Sequence, residues 1–306
     1  MKTVIPTVSV ASSEVLESAT RGGTVGADFA ELVKARLTSL VLLTTAVGFY
    51  LGGRGPINLV SLAHVFFGTA AAAGGAAALN QWWEWRLDAL MKRTKMRPVP
   101  AGRMRPVAAL VVGGLLAIFG VAYLAIVCNT ISAVLAAITV VIYIFAYTPL
   151  KRLSTFNTLI GAIPGALPPL IGWTAARGKL DAQAWSLFTI VFLWQLPHFF
   201  AIAWMHRDDY VRAGFQMIGN DDPTGERSAS QSVFFCILLL VLAGLPGYVG
   251  IVTFLYIPVE LALGSVFVAV AMRFLRTRTP ADARWLFVTS IVYLPLLLGA
   301  LVLTKA

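Results

Sequence analysis

Nine runs of apolar residues, each long enough to cross a bilayer as a helix, constrain this chain more than any other feature. A spanning helix needs ~20 apolar residues, because backbone N–H and C=O groups in hydrocarbon must find partners within the segment. Runs of this kind lie near 32–52, 59–80, 106–127, 131–147, 158–175, 182–204, 232–253, 256–274 and 284–303. Composition agrees: 58% of the 306 residues are hydrophobic and only 12% charged, about half the charge of a soluble domain. The pattern predicts an all-α, polytopic membrane bundle of about nine transmembrane helices. One membrane domain is expected over 31–306, with 1–30 as a disordered cytoplasmic tail. The start of that tail mixes Ser, Thr, Val and Glu and has no sustained apolar core, so it does not resemble a secretory signal peptide.

The net charge is +10. In a soluble protein this would suggest nucleic acid, but here the cations sit between apolar runs. Twenty of the 24 lysines and arginines fall on the N-terminal side or on loops that nine spans place with it. The rest are Arg54, Arg177, Lys179 and Lys305. The positive-inside rule then puts the N-terminus in the cytoplasm and the C-terminus outside. An anionic substrate accounts for cations beyond what orientation needs.

The longest polar interruption is NQWWEWRLDALMKRTKMRPVPAGRMR, residues 80–105. Asn80, Glu84 and Asp88 recur every fourth residue, so a helix continuing from 59–79 presents all three on one face. Arg86, Lys92, Arg93, Lys95, Arg97, Arg103 and Arg105 lie among and behind them. Carboxylates that hold Mg²⁺ beside cations that neutralise phosphate oxygens suit a metal-bound polyphosphate. Topology alone can explain the cations, and i,i+4 pairing can explain a charged helix end. The acidic row emerging from an apolar span favours a site, since carboxylates near membrane depth are costly.

Three other stretches carry polar residues. In YTPLKR, residues 147–152, Lys151 and Arg152 either reach a diphosphate or anchor the helix at the membrane. The following GAIPGALPP, residues 161–169, combines small residues with prolines, which permits close helix approach and a broken helix. In WQLPHFF, residues 194–200, His198 is a candidate metal or haem ligand, a base, or a hydrogen-bonded packing residue. Asp208 and Asp209 follow, and helical geometry lets at most one of them face a metal. Asp221 and Asp222 precede Pro223 and suit a helix cap. His64 stands alone in an apolar run and is read as structural, while Cys128 and Cys236 lack neighbours at metal spacing and are read as small apolar residues.

An acidic motif opening on Asn, with a second acidic patch several spans later, resembles the UbiA-type intramembrane prenyltransferases. The likeness rests on 80–103, on YTPLKRLSTFNTLIGAIPGALPPLIGW and on WQLPHFFAIAWMHRDDYVRAGFQMI, and extends over roughly 30–303. Within that family it points to the branch that farnesylates haem B to haem O. The resemblance implies nine helices around a central cavity in the inner membrane of a bacterium. It implies farnesyl diphosphate, haem B and Mg²⁺ as ligands, and haem A synthase or terminal-oxidase assembly as partners. Asn80, Glu84 and Asp88 would form the metal–diphosphate site. Arg93, Arg97, Lys151 and Arg152 match the two basic pairs. His198 matches the His of the PHF segment, implying contact with haem, and Asp209 the acidic residue of the DY segment. Glu84 stands where the wider family has Asp, and Asp209 lacks a spaced carboxylate partner.

Two alternatives stay open at this stage. A quinone-precursor or other aromatic acceptor would keep the fold and change the substrate. A transporter with an anion site between broken helices is the reading from another class, but no inverted repeat is evident and the charges cluster at one face.

Overall fold

The computed structural model describes residues 24–220 and 222–306. Among these, nine helices have the length and composition to cross a membrane. A short helix α1, Val25–Leu32, precedes them. The first three spans are α2 (Ala35–Gly52), α3 (Leu59–Asp88) and α4 (Pro106–Cys128), followed by α5 (Thr130–Leu150) and α6 (Asn157–Arg177). After α7 (Ala182–Met205) comes one short surface helix, α8 (Arg207–Arg212). The last spans are α9 (Glu226–Tyr248), α10 (Tyr256–Thr277) and α11 (Pro280–Leu303). The only pairing of extended backbone among the described residues is an isolated bridge between Val252 and Lys305. The chain is an all-α integral membrane protein.

The expected tail needs correcting at its C-terminal end. Residues 1–23 lie outside the described residues, but 25–30 belong to α1, which Thr24 caps by accepting from the Ala27 N–H at 3.3 Å. Gln81 of α3 donates to the carbonyls of Glu31 and Leu32, both at 2.9 Å, and Arg103 bonds Asp28 at 2.9 Å. These partners hold α1 to the bundle, where a free tail would have none. The span expected at 232 begins six residues sooner, at Glu226. Asp222 caps that start by accepting from the N–H groups of Ser228 (2.8 Å) and Arg227 (3.2 Å). Asp221 lies outside the described residues.

Small residues set the helix spacing, as expected where lipid tails offer no hydrophobic drive for helix association. Helices α2 and α6 meet backbone to backbone: a Cβ on Gly48 would collide with the Pro169 carbonyl, and one on Gly172 with that of Thr45. Helix α6 is broken at Leu167, immediately before Pro168 and Pro169. Two stretches wind more widely, as π-helix: Leu124–Cys128 ends α4, and Ile142–Tyr147 lies near the end of α5. Single π turns interrupt α-helices frequently at functional sites, and the second supplies two tyrosines to the site below.

Candidate active site

Helices α2, α3, α5, α6, α7 and α11 enclose a cavity of about 290 Å³. Its wall is mostly apolar, from Leu40 and Val41 through Ala76 and Ala77 to Val191 and Leu294. The break in α6 shapes one side, contributing Gly161, Pro164 and Gly165. A Cβ on Gly161 would lie 2.5 Å from the Tyr147 ring, and one on Gly165 would strike the Gln195 amide, so a larger residue at either place would displace a side chain that lines the cavity. Gln195 donates from that amide to the Ala162 carbonyl at 2.7 Å, tying α7 to the broken helix.

A buried polar cluster is built on the last turns of α3. Asn80, Glu84 and Asp88 are all buried, exposed by 1%, 3% and 2%. Each touches a cation. The Asn80 amide oxygen accepts from Lys34 Nζ at 2.8 Å, while its NH₂ donates to Glu84 (2.8 Å) and to Thr148 Oγ1 (3.2 Å). Lys151 Nζ donates to both Glu84 oxygens at 2.9 Å. Arg97 donates to Asp88 Oδ2 at 2.8 Å. The acidic row and the basic residues therefore form one alternating cluster. Burial opposes the charge on Lys151, but the Glu84 carboxylate overrides it and holds the ammonium above its ordinary range. Burial pulls the Lys34 ammonium below its ordinary range, partly offset by Tyr143.

Tyrosines join this cluster to the apolar cavity. The Tyr143 hydroxyl lies 3.3 Å from Lys34 Nζ, and the Tyr147 ring faces Lys151 Nζ at 4.4 Å from its centroid. Both tyrosines line the cavity, and so does His198. The cavity thus runs from His198 to Tyr143 and Tyr147, and these two tyrosines in turn contact Lys34 and Lys151 of the cluster.

The other predicted residues are placed differently. Arg93 lies at the exposed rim and donates to the Tyr210 hydroxyl at 3.0 Å, its guanidinium facing that ring. Asp209 accepts from Arg212 at 2.8 Å. Burial works against its charge, but the Lys92 and Arg93 N–H groups and Arg212 outweigh it, holding its carboxyl below the usual range. Its partners make Asp209 a clasp between α8 and the loop that carries Arg93. Arg152 points to the surface, apart from the cluster, although its neighbour Lys151 is buried. His64, on α3 about four turns before Asn80, bonds the Tyr123 hydroxyl at 2.6 Å, in keeping with a structural role.

Sequence reasoning missed Lys34, Tyr143, Tyr147 and Thr148 as members of the site. Lys34 counts as one more topological cation until its backbone is seen. Its φ of 49° is left-handed, a conformation that costs a non-glycine residue of order 1–3 kcal/mol and is usually kept for a reason. Here the turn separates α1 from α2 and aims the ammonium at Asn80.

Mg²⁺ is normally held by one or two carboxylates, with substrate phosphates and water completing an octahedron. Glu84 and Asp88, one turn apart and buried, fit that requirement. Among the described residues no three His, Cys, Asp or Glu side chains form a cage sufficient without phosphate. Their partners in the structure are Lys151 for Glu84 and Arg97 for Asp88.

A membrane bundle that buries carboxylates and cations together at one end has the makings of an intramembrane enzyme, and the chain belongs to the UbiA prenyltransferase family, whose model matches residues 41–296. It is a prenyltransferase. It is 42% identical to protoheme IX farnesyltransferase from Solibacter usitatus over 91% of this chain and 98% of that protein. It is 44% identical to protoheme IX farnesyltransferase from Opitutus terrae over 91% and 94%. Its fold is similar to that of a UbiA homologue from Archaeoglobus fulgidus bound to GPP and Mg²⁺, with a TM-score of 0.66 and 14% identity over 90% of this chain and 99% of that one.

Proposed function

We propose that this chain transfers the farnesyl group of farnesyl diphosphate to a vinyl group of haem B, with addition of water, giving haem O for haem–copper oxidases. The observation that carries this reading is that Tyr143 and Tyr147, which contact Lys34 and Lys151 of the acidic–basic cluster, line the same cavity as His198. The acceptor follows from the identity shared with the two farnesyltransferases over nearly the whole chain. N-terminus in the cytoplasm, C-terminus outside, within the inner membrane of a bacterium, is the orientation that the loop charges support.

Catalysis in such a site is the work of charge stabilisation at the leaving group. As the C1–O bond of the allylic diphosphate breaks, negative charge builds on the diphosphate. Lys151, Lys34 and Arg97 would meet it at fixed positions in a water-poor pocket, where such contacts are worth most. Mg²⁺ held by Glu84 and Asp88 would supply Lewis-acid neutralisation of the same oxygens. Asn80 orients Glu84 and Lys34 through its amide. Arg93 closes the rim, and Arg152 meets the substrate's anionic face during entry. Asp209 keeps the Arg93 loop in register. The farnesyl chain lies along the apolar wall toward His198. At the diphosphate end, as C1 parts from its leaving oxygen, the vinyl carbon of the acceptor forms the new bond to C1, water adds to the neighbouring carbon, and one proton leaves.

Lys34→Met should lower kcat/KM for farnesyl diphosphate by ~10–100-fold and leave the affinity for haem B unchanged. It removes one charge-assisted contact to the leaving group, and steady-state kinetics with each substrate varied separates the two effects. The assignment as a whole is tested by incubating purified protein with radiolabelled farnesyl diphosphate, haem B and Mg²⁺. Labelled haem O is expected. A labelled quinone precursor instead, or label moved across vesicles without new bonds, would overturn it.

A further inference from the structure

His198 is held on its faces and on one edge. The Phe287 ring stacks against it at 4.8 Å between centroids and 30°, and the Trp194 ring at 5.5 Å and 28°. Its Nδ1 lies 2.7 Å from the Ser290 hydroxyl. That hydroxyl also lies 2.6 Å from the Phe287 carbonyl, and a carbonyl can only accept. Ser290 has one proton and donates it there, so Nδ1–H must donate to Ser290. A neutral imidazole carries a single N–H, which leaves Nε2 with a bare lone pair. None of the hydrogen bonds among the described residues uses Nε2, and His198 lines the cavity. Ser290 is itself fully buried and anchored, its carbonyl accepting from Trp194 Nε1 at 2.7 Å.

We infer that Ser290 is a positioning residue: by accepting the Nδ1–H it holds His198 in the tautomer whose Nε2 can ligate the iron of a haem acceptor. This rests on the reading of haem B as the acceptor. A partner on the second ring nitrogen fixes the orientation of a ligating imidazole and raises its basicity, and losing it typically costs 10–100-fold in metal affinity.

The test titrates full-length protein in detergent with haem B and, separately, with iron-free protoporphyrin IX. Wild type should bind haem B with the absorption and electron-spin signature of imidazole-ligated iron. Ser290→Ala should weaken haem B binding by ~10–100-fold, alter that signature, and leave protoporphyrin IX binding and the KM for farnesyl diphosphate unchanged. Ser290→Thr, which keeps the hydroxyl, should retain the signature. Equal weakening of haem B and protoporphyrin IX in Ser290→Ala would show a packing role and overturn the inference. So would an unchanged signature in His198→Ala. Wild type that binds no haem B at all would overturn the acceptor assignment, and this inference with it. Tight haem B binding unaffected by Ser290→Ala removes the Ser290 role alone.

Discussion

Asp88→Ala should stop farnesyl transfer, by at least ~10³-fold, while the protein still accumulates folded in membranes. A loss of that size is about 4 kcal/mol of transition-state stabilisation, which is what one charged group aimed at a leaving diphosphate can supply. Asp88 sits at the last turn of α3 and is 2% exposed, with Arg97 as its ion-pair partner. Removing it deletes a proposed metal ligand and unseats Arg97, so two contributions to the leaving group go together. Single-turnover assays of haem O with matched amounts of folded protein measure the effect. Product formation near the wild-type rate would reject Asp88 as part of the diphosphate site.

Lys151→Met should fail in two ways that a second substitution separates. Its ion pair with Glu84 has side-chain exposures of only 10% and 4%. Breaking such a pair from one side leaves a buried charge uncompensated and costs ~3–5 kcal/mol, whereas removing both charges is often neutral. The single variant should therefore melt at a lower temperature in detergent and lose ~10²–10³-fold in turnover. Adding Glu84→Gln should recover most of the melting temperature and none of the turnover. Recovery of both would mean that the pair only holds the helices together; recovery of neither would mean that the Lys151 side chain supports the fold by contacts other than Glu84, such as those with the Tyr147 and Phe215 rings.

Much of this arrangement was written locally in the chain. The nine spans were legible because crossing a bilayer imposes a length on each apolar run, and among the described residues the structure places nine such helices near the expected positions. The Asn80–Glu84–Asp88 row was legible because its spacing matches one helical turn. What local spacing does not encode is which helix faces which. Tyr143 and Tyr147 are ordinary interface aromatics until the wide turn at Ile142–Tyr147 brings them against Lys34 and Lys151. Ser290 sits 92 residues from His198 in sequence and meets it only because α7 and α11 pack together. Lys151 and Arg152 looked equivalent as neighbours, yet the turn after α5 buries one and exposes the other. Asp209 matched a family position, and its partners are Arg212 and the loop backbone.

The account depends on one cavity that serves both ends of the reaction. The most direct measurement is an experimental structure of the protein with Mg²⁺ and a thiolo-diphosphate analogue of farnesyl diphosphate that cannot ionise. The diphosphate should sit among Glu84, Asp88, Lys34, Lys151 and Arg97, with the lipid tail running past Tyr143 and Tyr147 toward His198. A diphosphate bound elsewhere, or a tail directed away from His198, would contradict it.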